Sequence, residues 1–98
     1  MRHIARVDGN HREIVDGLRN VGASVQSLAT IGKGCPDILV GFRGVNYVME
    51  IKDGSKPPSG RKLTPDESAW HFNWRGQVCV VESLQDALIA IGVVKGRK

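Results

Sequence analysis

The stretch from Ile38 to Lys52, ILVGF then RG then VNYVMEIK, constrains this chain more than any other part of it. Both halves are rich in β-branched and aromatic residues, and Arg43-Gly44 supplies turn chemistry between them, so the pattern predicts a β-hairpin. Side chains alternate along a strand. Ile38, Val40 and Phe42 therefore share a face with Met49 and Ile51, an apolar set that needs a helix packed on it. The opposite face holds Leu39 and Val48 and ends in Asp37, Glu50 and Lys52, charges placed where a core would otherwise be built. With a two-residue turn Asp37 lies opposite Glu50; with a four-residue loop over 43–46 it lies opposite Lys52, with Glu50 on a diagonal. Either register gathers the three on one face, at one end of the sheet.

The flanking sequence supplies what such a hairpin needs. Ile14, Leu18 and Val21 recur at spacings of four and three, which predicts an amphipathic helix over 10–21 that Gly22 stops. Loose alternation around Val25 predicts a first strand over 23–30, and the glycines of 31–35 a loop. DGSKPPSGRK, residues 53–62, is expected to be an exposed loop without regular structure. Thr64 as cap, Pro65 in the first turn and Glu67 completing a capping box start a helix that runs to Gly76. Gln77 to Glu82 reads as a short apolar strand, and Ser83 caps a last helix over 84–91 before Gly92. The order α-β-β-β-α-β-α describes an α/β fold, a central sheet flanked by helices.

Ninety-eight residues are expected to form a single domain over 1–98, small enough that a second copy would help its core. Lysine and arginine outnumber the acids 14 to 10, giving a net charge of +4 that favours an anionic partner. No apolar run approaches the roughly twenty residues of a membrane span, and the first residues lack the apolar stretch of an export signal. Cys35 and Cys79 have neither metal-ligand nor C-x-x-C spacing, so reduced thiols in a cytoplasmic protein are expected. His3, His11 and His71 are too scattered for a zinc site, and the KGRK tail is expected to fray. Trp70, Phe72 and Trp74 cannot all face one core, and an exposed aromatic on so small a domain suggests a partner surface, most simply a twofold homodimer.

Two carboxylates facing one another repel, and burying either without a partner costs several kcal/mol. Lys52 can neutralise them as a structural ion pair. A hard divalent cation such as Mg²⁺ does so more completely, because it takes oxygen ligands from one or two carboxylates, water and substrate phosphate. Lys56, Arg61 and Lys62 in the adjacent loop are candidates to grip phosphates, an interaction that weakens steeply with salt.

G-x-P-D at 34–37 and E-I-K at 50–52 resemble the signature of the PD-(D/E)xK nucleases. Together with HREIVDGLRNVG, the basic loop, LTPDE and RGQVCVVES, nearly the whole chain is similar to the VRR-NUC family in its compact stand-alone form, found in phages and bacteria. The resemblance implies a restriction-endonuclease-like core and a Mg²⁺- or Mn²⁺-dependent endonuclease of DNA. It further implies a homodimer suited to branched DNA such as four-way (Holliday) junctions, working in the cytoplasm, that of a bacterial host if phage-encoded. It implies Asp37 and Glu50 as metal ligands, the Ile51 backbone carbonyl as an additional one, and Glu13 reaching the metal through water. Lys52 matches the lysine that orients or deprotonates the attacking water. The chain departs from the family at Glu67, where glutamine is usual; there the sequence itself supports only a capping role. Two other readings stand beside this one: a non-catalytic DNA-binding module on a nuclease-like fold, and a structural domain whose hairpin charges form an ion pair.

Overall fold

The computed structural model describes residues 9–96; His3 and the last two residues of the KGRK tail lie outside them. Along the chain run α1 (His11–Asn20), β1 (Ser24–Ser27), β2 (Ile38–Phe42), β3 (Val45–Ile51), a 3₁₀ turn (Pro58–Gly60), α2 (Pro65–Asn73), β4 (Val78–Val81) and α3 (Leu84–Ala90). This is the mixed α/β order expected from the sequence. The four strands form one sheet in the order β1-β2-β3-β4. The first three are antiparallel neighbours, and β4 joins β3 in parallel after the chain crosses over through α2.

Of the two hairpin registers, the structure selects the two-residue turn: Phe42 pairs with Val45, and the ladder continues to Ile38 opposite Met49. Arg43 and Gly44 both take positive φ, 51° and 80°, the conformation whose twist matches a tight hairpin. The Arg43 guanidinium lies over the Phe42 ring, 4.8 Å from its centroid. Two expectations need correction. The first strand spans only Ser24–Ser27, because the chain turns away at Ile31, whose amide bonds the Leu28 carbonyl. The 53–62 segment also contains a short regular turn, since Pro57 and Pro58 pre-set the backbone for the bonds from Gly60 N to Pro57 O and Arg61 N to Pro58 O.

The apolar hairpin face is the core face. Ile38, Val40, Met49 and Ile51, with Val81 of β4, cluster with Ile14 and Leu18 of α1, Ala87 of α3 and Ile91 just after it. Gly17 lets the two helices approach, since a Cβ there would collide with the Leu84 side chain. Asn10 precedes α1 without capping it; its amide instead donates to the carbonyls of Lys52 (3.1 Å) and Glu82 (2.9 Å). That residue fastens together the ends of β3 and β4, where the charged residues lie. The first turn of α2 reaches the charged end of the sheet, bringing Glu67 to Lys52. Among the described residues no helix is long and apolar enough to cross a membrane.

Candidate functional site

Pro36 is fully buried and delivers Asp37 to the start of β2. Three hydrogen bonds then fix Asp37: its amide donates to Met49 O (3.0 Å), its carbonyl accepts from Leu28 N (2.8 Å), and its Oδ2 accepts from Ile51 N (2.7 Å). The carboxylate thus extends the β2–β3 ladder by a side-chain bond. Glu50, inside β3 between β2 and β4, is only 3% exposed. The Lys52 amide continues the parallel ladder through a bond to Val81 O at 2.9 Å. Asp37, Glu50 and Lys52 therefore converge at one end of the sheet, held by backbone pairing on every side.

Burial pushes the Glu50 carboxyl up to about 9, and the negative charges of Asp37 and Glu67 push the same way; Lys52 opposes them, while a hydrogen bond with Asp37 favours the protonated form. The Lys52 ammonium lies 3.6 Å from Glu50 but 2.9 Å from Glu67 Oε1. The ammonium thus pairs more closely with Glu67, and Lys52 only partly offsets the burial that favours the protonated form of Glu50.

Glu67 is the site residue that sequence reasoning placed elsewhere. It does complete the capping box of α2, and the same side chain also reaches Lys52. Burial acts to raise its pKa, but the bonds from the Thr64 amide and Lys52, with the Lys52 charge, hold it below the ordinary glutamate value. His71, one helical turn on, lies within the fields of Glu67 and Lys52; burial lowers its pKa, and its buried Nε2 has no hydrogen-bond partner among the described residues. The spacing of four between Glu67 and His71 was the available signal, since it puts both on one face of α2. Gly34 was also missed. It takes φ +82°, and a Cβ there would overlap the Asp66 carbonyl and lie 2.8 Å from Glu67 N, so this glycine lets the start of α2 reach the site. Cys35 borders the two acids, its thiol raised by burial and then by Glu50 and Asp37. Both cysteines are free, as expected.

The remaining expected residues lie outside this cluster. Glu13 is exposed on α1, and no contact among the described residues joins it to Asp37, Glu50 or Lys52. Arg61 is engaged within the loop: its Nε donates to Lys56 O (2.7 Å) and its guanidinium pairs with Glu82 (3.4 Å). Lys56 and Lys62 are exposed. Trp70 stacks on Trp74 at 4.6 Å, with Phe72 88% exposed beside them, as the aromatic spacing predicted for at least one of the three.

Among the described residues no group of three or more His, Cys, Asp or Glu side chains is arranged to hold a metal ion. The structure instead offers the smaller donor set of Asp37 and Glu50, two carboxyls in contact, one of which burial and its acidic neighbours push toward the protonated form. That set fits a hard divalent cation, which commonly takes one or two carboxylates and completes its shell with water and phosphate oxygens.

No family model matches the chain, and no curated protein matches it. Among solved structures, one described as "VRR_NUC domain" is similar to it at 28% sequence identity and a TM-score of 0.61, covering 86% of this chain and 97% of that one. The likeness extends over most of both chains and includes the mixed sheet and its flanking helices. It supports membership of this chain in the VRR-NUC family.

Proposed function

We propose that the chain, acting as one domain over 1–98, is a metal-dependent endonuclease that hydrolyses DNA phosphodiester bonds. The likeness to a VRR-NUC domain supports a nuclease-like, DNA-processing role. The observation that carries the finer reading is Glu50, a carboxyl 3% exposed and in contact with Asp37. Burying an acid beside another acid costs a purely structural domain stability, whereas a bound cation would offset that cost.

In this reading Asp37 and Glu50, with the Ile51 carbonyl, would hold Mg²⁺ or Mn²⁺, which when bound would supply neutralising charge at the phosphate and activate water for attack. Asp37 is fixed in place by Ile51 N and needs no rearrangement to serve. Lys52, anchored by Glu67, orients the attacking water and meets negative charge developing on the phosphoryl oxygens. Lys56 and Lys62 hold flanking phosphates, while Arg61 shapes the loop that presents them. The products are a 5′-phosphate and a 3′-hydroxyl. A homodimer in the cytoplasm, cutting branched DNA such as four-way junctions, is the assembly proposed for a domain this small with exposed Phe72 and Trp74.

The test is incubation of purified protein with linear duplex, flap and four-way-junction DNA in Mg²⁺, Mn²⁺ or chelator. Cleavage that chelator and Asp37→Asn both abolish, with DNA binding kept, is the expected result. Binding without cleavage of any substrate would favour the non-catalytic module, and continued cutting by Asp37→Asn would remove the site assignment.

A further inference from the structure

The residues bracketing the basic loop, Lys52 at its start and Thr64 at its end, are both held by a single atom. Glu67 Oε1 accepts from Thr64 N at 2.8 Å and from Lys52 Nζ at 2.9 Å. Glu67 is fixed in turn, its own amide donating to Thr64 Oγ1 at 3.2 Å, and its side chain is 18% exposed. Between those anchors the loop is tied to itself and to the sheet. Asp53 Oδ1 accepts from the amide and hydroxyl of Ser55, Arg61 bonds Lys56 O, and Gly54 N bonds Glu82 O. A neutral amide at position 67 could still accept from Thr64 N, though more weakly than a carboxylate. The negative charge matters most for the other donor, the ammonium of Lys52, where both partners of the charge-assisted hydrogen bond are ionised.

We propose that Glu67 is a positioning residue: its carboxylate staples the two ends of the basic loop together and thereby sets where the Lys52 ammonium stands. Lys52 has four rotatable side-chain bonds, and the short charge-assisted bond to Glu67 offsets the entropy cost of holding its ammonium in one position. The staple also links two tasks, since the loop carrying Lys56 and Lys62 and the lysine at the reaction centre share one anchor. This inference rests on the nuclease reading for its kinetic consequence and on geometry alone for its structural one.

The experiment compares wild type, Glu67→Gln, Glu67→Ala and a control, Ser83→Ala, which removes the equivalent hydroxyl cap from α3. Two readouts are independent of activity: the ¹⁵N signal of the Lys52 ζ-ammonium, assigned by its loss in Lys52→Arg, and amide hydrogen exchange over 53–63. Glu67→Gln keeps the cap, so it is expected to fold normally, to weaken the protected Lys52 signal and to lower kcat about tenfold at unchanged KM for DNA, the scale of lost supporting contacts. Glu67→Ala should abolish the signal and speed loop exchange. Ser83→Ala should lower stability without moving kcat or the Lys52 signal. An unchanged Lys52 signal and kcat in Glu67→Gln would overturn the proposal, as would loss of that signal in Ser83→Ala. If wild type cuts no DNA, the nuclease reading fails, and the Lys52 signal and loop exchange still decide whether the staple exists.

Discussion

Replacing Glu50 by glutamine should make the metal-free protein more stable, by an amount that grows with pH. The glutamate side chain is 3% exposed and its carboxyl is pushed up to about 9 from an ordinary 4.5. The folded state therefore binds a proton that the unfolded state has released, and stability is full below pH 4.5 and declines as pH rises toward 9. For one proton the slope is ~1.4 kcal/mol per pH unit, so by pH 7 the loss amounts to ~3 kcal/mol. Glutamine has the same size and no proton to lose. His71, whose pKa burial lowers, works in the opposite direction, losing stability as pH falls, but it is common to both proteins and cancels in the difference.

The assay is urea or thermal unfolding of wild type and Glu50→Gln in chelator between pH 5.5 and 7.5. The stability difference between them should widen by roughly 2–3 kcal/mol over that range. For a domain of this size each kcal/mol moves Tm by about 4–8 °C, well within measurement. Adding Mg²⁺ should then stabilise wild type, in proportion to RT ln(1 + [Mg²⁺]/Kd), and leave Glu50→Gln where it was. Parallel pH profiles for the two proteins would show that Glu50 is ionised without metal, and the reasoning from its burial would fall.

Three further outcomes can be checked. Lys52→Ala should slow single-turnover cleavage on the order of 10²-fold while the Mg²⁺-induced rise in Tm persists, since in the proposed mechanism the lysine acts on water and phosphate and is not a metal ligand. Gly34→Ala should cost roughly 2–4 kcal/mol in urea unfolding, combining its left-handed backbone with the collision against the first turn of α2. Removing Lys56 and Lys62 together should weaken DNA binding and flatten the plot of log affinity against log salt by about one for each lost phosphate contact; an unchanged slope would show that these lysines only face solvent.

Strand alternation made the central hairpin legible, because a period of two leaves few alternatives once one face must be apolar. Ile38, Val40, Met49 and Ile51 entered the core as read, and counting placed Asp37, Glu50 and Lys52 on one face in either register. The choice between two turns was not legible: Arg43 carries no strong preference for its observed φ of 51°, so the sequence allowed a longer loop. Helix α2 was correctly started at Thr64 and Pro65, yet its contribution to the site was not seen. Capping is a local property and can be read from four residues. That Glu67 and His71 come near Lys52 depends on a crossover through residues 53–63, whose path nothing in the local pattern specifies.

The division of labour between the two sheet faces explains how so unfavourable a cluster persists. Ile14, Leu18, Ile38, Val40, Met49 and Ile51 are each no more than 1% exposed, so hydrophobic stabilisation is concentrated on the α1–α3 side. The opposite side can then carry a buried Glu50 whose pKa is raised, an Asp37 bound to a strand amide and a His71 Nε2 with no partner among the described residues, without unfolding the domain. The same logic fixes the site's position at the ends of β3 and β4: there the ladder stops, the Asn10 amide bonds the last carbonyls, and side chains meet solvent on one side and structure on the other. A chain selected for stability alone would replace Glu50 with an apolar residue or an amide. Glu50→Gln is therefore expected to gain stability and lose cleavage together, and a variant that gained stability while still cutting DNA would show that the buried carboxyl serves something other than a metal ion.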